Sequence, residues 1–537
     1  MNRIKIKSLL SAASVLFLTV SCTGRFEEYN TDPYGVIGEE LMYDGLKYGA
    51  PLAQMQRNIM PYSQQPSFGD EKYQVVQNLC GDIFSGMMAA PRYWQKNADN
   101  TTYALYSNWY SQPFDHAYTN IMAPWNDLRK KCVEDDMPQI YAIAQIIKIE
   151  AMHRVTDLYG PLPYSRFGEG TQVNYDSQEA IYNSFFRELD SAVVVLNDYA
   201  IANPGSKILT AFDYIYQGEP AQWVKFANSL RLRLALRLHF VDAVKAQAEA
   251  TAALDPANGG VMTSVADNAK LVNGRGVSFH HPLNEICDGF NDVRMGATMD
   301  CYMNGYGDPR RSAYFKLPDE TSALANVSLY PGVRTGIDIG SDDANYKAYA
   351  ARLNIARGAD IVWMASPEVC FLQAEAKIRY DIGTTDAQTL YERGIDQSME
   401  MWGVTAGGSY KTVVTAPRAY YDPVRTGNNT GAPSTVTVAW ANLTTDAAKL
   451  EGILTQKWIA LYPDGVEGWS EFRRTGYPKV IPVAVNNSNG TISTATQICR
   501  LPYPTSEKLN NADGLATGVT LLGGADNGGT KLWWDKN

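Results

Sequence analysis

QIYAIAQIIKIEAMHRVTDLYGPLPY, Gln139 to Tyr164, is the stretch on which the fold turns. Ile140, Ala144, Ile147, Ala151, Val155 and Leu158 recur at three- and four-residue steps, the spacing that brings side chains onto one face of an α-helix. The pattern predicts a helix from Gln139 to Tyr159 and a stop at Gly160-Pro161, because proline lacks the N–H that a continuing helix needs.

Working outward, the same periodicity returns. Asp176 with Glu179 three residues on has the spacing of a capping box, with Asp in place of Ser or Thr, and Ile181, Phe185, Leu189, Val193 and Leu196 follow on one stripe. Pro220 suits a first helical turn, where its missing N–H would be unpaired anyway. The helix it opens carries Trp223, Phe226, Leu230, Leu234 and Leu238 on its apolar face, with Arg231, Arg233 and Arg237 off that face. Ser366-Pro367-Glu368 reads as a helix start with Ser as N-cap; Asp386 to Trp402 pairs with it across Ile382 to Thr385, and Asp446 to Tyr462 is the last clear helix. Between about 256 and 365, and again between 404 and 440, Gly, Pro, Asn and Thr interrupt every long period. These stretches read as insertions on a mostly α frame, and long ordered loops are where binding residues concentrate.

The chain has 537 residues, 45% hydrophobic and 19% charged, long enough for three or four domains of about 150 residues. Gly 43, Pro 26 and Cys 7 exclude collagen, low-complexity disorder and a small disulfide scaffold. Lys+Arg 47 against Asp+Glu 57 gives −10, the wrong sign for a protein that replaces counterions on nucleic acid. Tyr 33 and Trp 11 greatly outnumber Phe 16, which favours rings that can both stack and hydrogen-bond.

Residues 1–21 read as a lipoprotein signal peptide. Arg3, Lys5 and Lys7 precede an apolar run of twelve residues, Leu9 to Val20, too short for a span of about 20 residues. Leu18-Thr19-Val20-Ser21-Cys22 resembles a bacterial lipobox, which implies lipidation of Cys22; Thr19 departs from the usual aliphatic residue. Loss of 1–21 removes three cations and no anion, leaving −13. Residues 22–37 then form the lipidated Cys and a polar tether, and the globular body occupies 38–537. Six further Cys, at 80, 132, 287, 301, 370 and 499, show no C-x-x-C or regular spacing; buried free thiols are expected, with Cys287 and Cys301 the one pair close enough in sequence to suspect.

Several phrases in order resemble the SusD/RagB family: Asn30-Thr31-Asp32-Pro33, Asp157 to Tyr164, Trp223 to Leu230, Glu368 through Glu375-Ala376, Lys457 to Gly476 with Glu467-Gly468-Trp469 and Phe472-Arg473-Arg474-Thr475-Gly476, and Leu501 to Glu507. The final segment, Gly523 to Asn537, lacks the family's usual Gln-Asn-Pro ending. The resemblance implies a mostly α, SusD-like fold with four tetratricopeptide-like helix pairs and loop-rich insertions carrying the ligand site. A repeat of about 34 residues is not visible in the sequence itself. It further implies an outer-membrane lipoprotein facing the cell exterior, held by its lipid anchor, that binds an oligosaccharide or polysaccharide and delivers it to a SusC-like TonB-dependent transporter. A peptide receptor of the RagB type on the same kind of transporter is the alternative, and a purely structural transporter subunit is a third reading. The quoted motifs are scaffold motifs; in Phe472 to Gly476 the paired Arg are expected to satisfy buried carboxylates or carbonyls.

The ligand residues are sought from chemistry. A sugar offers an apolar C–H face and a rim of hydroxyls, so a site wants a flat aromatic with Asp, Asn or Arg beside it. Asp70 to Tyr110 supplies Asp70, Tyr73, Arg92, Tyr93, Trp94, Gln95, Asn97, Tyr103, Tyr106 and Trp109; Trp94, after Pro91 and before the polar run Gln95 to Thr102, is placed in a loop, whereas core packing is favoured for Trp109. The second region, Cys287 to Tyr306, offers Asn291, Asp292, Arg294 and Cys301, and Arg357 is a third-side candidate. The same residues can equally be solvated or packing groups. No H-E-x-x-H, G-x-S-x-G, P-loop or EF-hand pattern occurs; acidic pairs such as Asp135-Asp136 and Asp342-Asp343 are expected by chance, and His280-His281 has no metal-ligand spacing. No catalytic residue, metal or cofactor is expected, and no nucleic acid partner.

Overall fold

The computed structural model describes residues 45–62, 70–95, 97–170, 172–318, 329–405 and 408–537. Residues 1–44, which include those read as signal peptide, lipidated Cys22 and tether, lie outside the described residues. The longer helices are α1 (Leu46–Asn58), α2 (Ala123–Glu134), α3 (Pro138–Tyr159), α4 (Gln178–Ala202), α5 (Pro220–Arg237), α6 (Ala243–Leu254), α7 (Ala297–Tyr306), α8 (Ser366–Tyr380), α9 (Ala387–Met401), α10 (Asp446–Leu461), α11 (Gly465–Thr475) and α12 (Ala512–Leu522). Strands are few and short. β1 (Met88–Ala89) pairs with β3 (Arg294–Met295), β2 (Ala269–Leu271) with β6 (Ile361–Met364), and β4 (Phe315–Lys316) with β5 (Arg352–Leu353), all antiparallel. Helix packs on sequential helix, α2 on α3, α3 on α4, α4 on α5, α5 on α6 and α8 on α9, while α5 meets α8 and α10 meets α8, α9 and α11. Four helix pairs, α2/α3, α4/α5, α8/α9 and α10/α11, can be drawn from this set, consistent with the tetratricopeptide-like arrangement. Tyr48 to Asn537 is one compact unit.

The helix starts differ from the sequence expectations in two places, each with a local cause. Helix α4 is capped by Ser177, whose Oγ accepts the Ala180 N–H at 3.1 Å. Asp176 is already engaged, accepting the N–H groups of Tyr164 at 3.2 Å and Ser165 at 2.7 Å and so closing the turn after α3. Ser366 is the first helical residue of α8, not its cap; its N–H is held by Asn268 Oδ1 at 2.8 Å. At the end of α3, Gly160 adopts φ 91°, and Thr156 Oγ1 donates to its carbonyl at 2.7 Å; a side chain there would be strained.

The core is unusual in being ionic as well as apolar. Arg233 and Arg237 have no exposed side chain, so α5 is buried on its polar face too. Arg233 forks onto Glu368 of α8 at 2.8 and 2.7 Å. Arg237 reaches Glu467 at 2.6 Å and Glu471 at 2.8 Å on α11. Arg474 forks onto Glu375 at 2.8 Å on both oxygens and onto Glu471 at 3.1 and 2.6 Å. Arg473 instead donates to the carbonyls of Asp157 at 2.6 Å and Cys499 at 2.9 Å. One Arg thus satisfies carboxylates and its neighbour carbonyls, as buried charge requires. Buried tryptophans follow the same rule: Trp223 donates to Asp213 at 2.7 Å, Trp458 to the Ser85 carbonyl at 3.0 Å and Trp534 to Asp157 at 2.8 Å. The six described cysteines, Cys287 and Cys301 included, are buried free thiols.

Candidate functional site

The segment after β1 leaves the core at Pro91 and turns through two isolated bridges, Gln95 with Ala98 and Asp99 with Ala104. Asp99 caps the short turn Asn100–Thr102, accepting the Thr101 N–H at 2.9 Å, and Asn100 Nδ2 pins the loop to the Leu79 carbonyl at 2.7 Å. This held loop presents a run of rings. Trp94 meets Trp109 edge to face with centroids 5.0 Å apart, and Trp109 meets Tyr106 likewise at 5.3 Å. Tyr93 beside them is 48% exposed. Trp109 packs against the core, as expected, and its half-buried ring also forms the middle of an aromatic ledge.

One polar corner borders the ledge. Arg92 lies over the Trp94 ring, 4.4 Å from its centroid, a favourable cation–π placement. Its Nη1 donates to Asp292 Oδ1 at 2.8 Å, and Gln74 Nε2 donates to the other oxygen, Oδ2, at 3.0 Å. Asn291 makes the corner possible by adopting φ 61°, a left-handed conformation that Asn tolerates better than most residues. Phe290, 37% exposed, stands at the same turn. The arrangement can receive a flat apolar face on the rings and hydroxyl or amide groups at Arg92, the usual division of labour in a small-ligand site.

The structure brings together Arg92, Tyr93, Trp94, Asn291 and Asp292 from the two regions read in the sequence. Arg294 is an interior group. Its guanidinium donates to the carbonyls of Val293 at 2.8 Å and Lys347 at 3.1 and 3.2 Å and to the Asn291 side chain. Burial also lowers its pKa. Cys301 sits on α7, fully buried with Ala297, Tyr420 and Ile481; burial, then the Asp300 charge, raises its thiol pKa. Neither presents a group to solvent, and the expectation that they face ligand is corrected. The insertion reading of 256–365 hid α7, which Gly296 and Gly307 flank and which is buried on nearly every side. Arg357 is exposed on the loop before β6, its carbonyl accepting the His281 N–H at 2.8 Å. Asp70 opens the short helix Asp70–Tyr73, with its side chain outside the described part. Gln74 was missed by sequence reasoning, since nothing in its neighbourhood marks a residue that meets Asp292 from so far along the chain.

Among the described residues no cluster of His, Cys, Asp or Glu could hold a metal, and no helix is long and apolar enough to cross a membrane.

A mostly helical frame of this kind is what comparison with known proteins finds. The family model SusD-like, described as SusD and RagB outer membrane lipoprotein, matches residues 28–535, and the chain belongs to that family. Among solved structures it is similar to a chitin-binding SusD homologue from Flavobacterium johnsoniae, with a TM-score of 0.86 and 39% identity, covering 91% of this chain and 99% of that one. A SusD homologue from Bacteroides vulgatus gives 0.84 and 34% over 92% and 99% of the two chains. One from Bacteroides uniformis gives 0.82 and 33% over 91% and 99%. No curated protein matches the chain.

Proposed function

We propose that this protein is a cell-surface glycan receptor, tethered to the outer membrane through lipid on Cys22, that passes oligosaccharide to a SusC-like TonB-dependent transporter. The observation that carries the reading is the ledge Tyr93, Trp94, Tyr106 and Trp109 bordered by the Arg92–Asp292 corner, a stacking surface with a polar rim. A homologue of 39% identity bears the description chitin-binding, which makes β-linked N-acetylglucosamine chains the first ligands to try. Tyr93, Trp94 and Arg92 are assigned the ligand contacts, Asp292 and Gln74 the positioning of Arg92, and Arg357 an outer contact. Binding and release, without bond making, is the activity.

A peptide ligand would draw on an exposed strand edge for backbone pairing. The described strands run two to four residues each, in three separate ribbons, which favours the glycan. Titration calorimetry of the protein against chitin, cellulose, xylan and starch oligosaccharides tests the reading. Binding of one class, lost in Trp94→Ala, is the expected result; heat from peptides alone would overturn it.

A further inference from the structure

The segment that carries Tyr106 and Trp109 also lends Asn97, Leu105 and Tyr110 to a separate cleft of about 390 Å³, whose other wall is the turn at 487–491 with Asp526 and Lys508. That volume falls in the range of about 300–1,000 Å³ typical of small-ligand pockets. Its chemistry differs from that of the ledge. Among the described residues, the side chains of Asn97 and Asn489 and the Tyr110 hydroxyl have no hydrogen-bond partner. Asp526 uses Oδ1 for Arg500 Nη1 and the Tyr503 N–H, both at 2.9 Å. Its Oδ2 meets only the half-exposed Lys508 Nζ at 3.8 Å, beyond hydrogen-bond reach. The walls are pre-formed: the Asn487 N–H donates to the Thr102 carbonyl at 2.7 Å and its Nδ2 to Thr102 Oγ1 at 3.2 Å, tying the 487–491 turn to the ledge segment. Burial, then the Asp526 charge, raises the Tyr110 phenol, so it stays a donor at neutral pH.

We infer that this cleft is a second saccharide subsite, one that reads the hydroxyl and amide edge of a neutral sugar through Asn97, Tyr110, Asn489, Lys508 and Asp526. Lys508 and Asp526 are its charged lining groups, with Arg500 behind Asp526, so no more than one cation is left unbalanced for a phosphate or carboxylate ligand. Two primary amides and a phenol supply donors and acceptors in the mixture that hydroxyls and acetamido groups require. Its lining rings are the buried Tyr103 and the half-buried Tyr110, with Leu105 and Pro502 beside them, a smaller stacking surface than the ledge. Affinity here is correspondingly weaker than at the ledge. The inference rests on the glycan reading above.

The test is calorimetric titration of the full-length lipoprotein in detergent with chitohexaose, cellohexaose, xylohexaose and maltohexaose. Wild type, Trp94→Ala, Asn489→Ala with Lys508→Ala, and the milder Tyr110→Phe are compared, each checked for native circular dichroism. Wild type is expected to show two classes of site. Trp94→Ala removes the tighter and keeps the weaker, whereas the Asn489 and Lys508 changes leave the tighter intact and weaken the other by at least tenfold, with Tyr110→Phe intermediate. A single site, lost in Trp94→Ala and indifferent to the cleft variants, would overturn the cleft alone. No binding of any hexaose to wild type would remove the glycan reading and the cleft with it.

Discussion

Arg474→Met breaks the ionic core at its most connected point. Arg474 is fully buried; its guanidinium makes two hydrogen bonds to Glu375, two to Glu471 and one to the Leu236 carbonyl at 3.1 Å. Methionine fills similar volume but leaves two buried carboxylates short of a partner, a change that costs about 3–5 kcal/mol at neutral pH. With a urea m-value of about 3 kcal/mol per molar for a large domain, the unfolding midpoint falls by about 1 M or more. Buried Trp458 and Trp469 provide the fluorescence signal. A pH signature separates the ionic cause from lost packing. Burial alone would raise the Glu375 carboxyl, but Arg474 and then Arg379 reverse it and hold it at about 2. Glu471 is likewise held well below its usual value, with Arg474, Lys457 and Arg237 overcoming burial. Folded pKa values below the unfolded value of about 4.3 mean that these groups stabilise the protein above that pH and lose the effect as pH falls towards 2. In the variant the folded values rise, protonation relieves the stranded carboxylates, and the gap to wild type narrows between pH 7 and pH 4. An unchanged midpoint at pH 7, or a gap equal at both pH values, would refute the reasoning.

Other outcomes follow from the same geometry. Asp292→Asn weakens the hold on Arg92 and lowers glycan affinity about three- to tenfold by calorimetry, about 1 kcal/mol for one charge-assisted contact; a change in melting temperature with unaltered affinity would make the corner purely structural. Burial pushes His116 and His281 each down to about 4. Because the unfolded imidazoles bind protons near pH 6.5, stability drains as pH falls from about 6.5 to 4; His116→Gln flattens that part of the thermal profile, and a flat wild-type profile would contradict it. A soluble form starting at residue 23 keeps six cysteines, all of them buried and unpaired. Ellman's reagent should find none in the native protein and six in guanidinium without reductant, whereas four would reveal a disulfide.

The helical frame was legible because α3, α5, α9 and α10 carry their apolar residues at helical spacing over many turns. Caps were legible only to within a residue, since Asp176 and Ser366 were each claimed or displaced by a long-range partner, the turn at Tyr164 for one and Asn268 for the other. Helices α2 and α7 were hidden for opposite reasons: α2 buries only Pro124, Trp125, Leu128 and Cys132 and so has a thin stripe, while α7 is buried nearly all round and has none. Pro91 and the polar run after Trp94 signalled the ledge. Its polar corner was half visible: Asp292 could be named, but Gln74 and Asp292 meet only through the fold. Arg294 and Cys301 were chosen by nearness in sequence; Arg294 follows the turn at Asn291 and folds back onto backbone carbonyls, and Cys301 lies on the buried helix α7, so both side chains are interior.

The central claim is tested most directly by a crystal structure of the protein with chitohexaose. The account predicts sugar rings stacked on Tyr93 or Trp94 at about 4 Å, with a hydroxyl or acetamido oxygen at Arg92. Saccharide seated elsewhere with the ledge bare, or a peptide lying across those rings in its place, would contradict it.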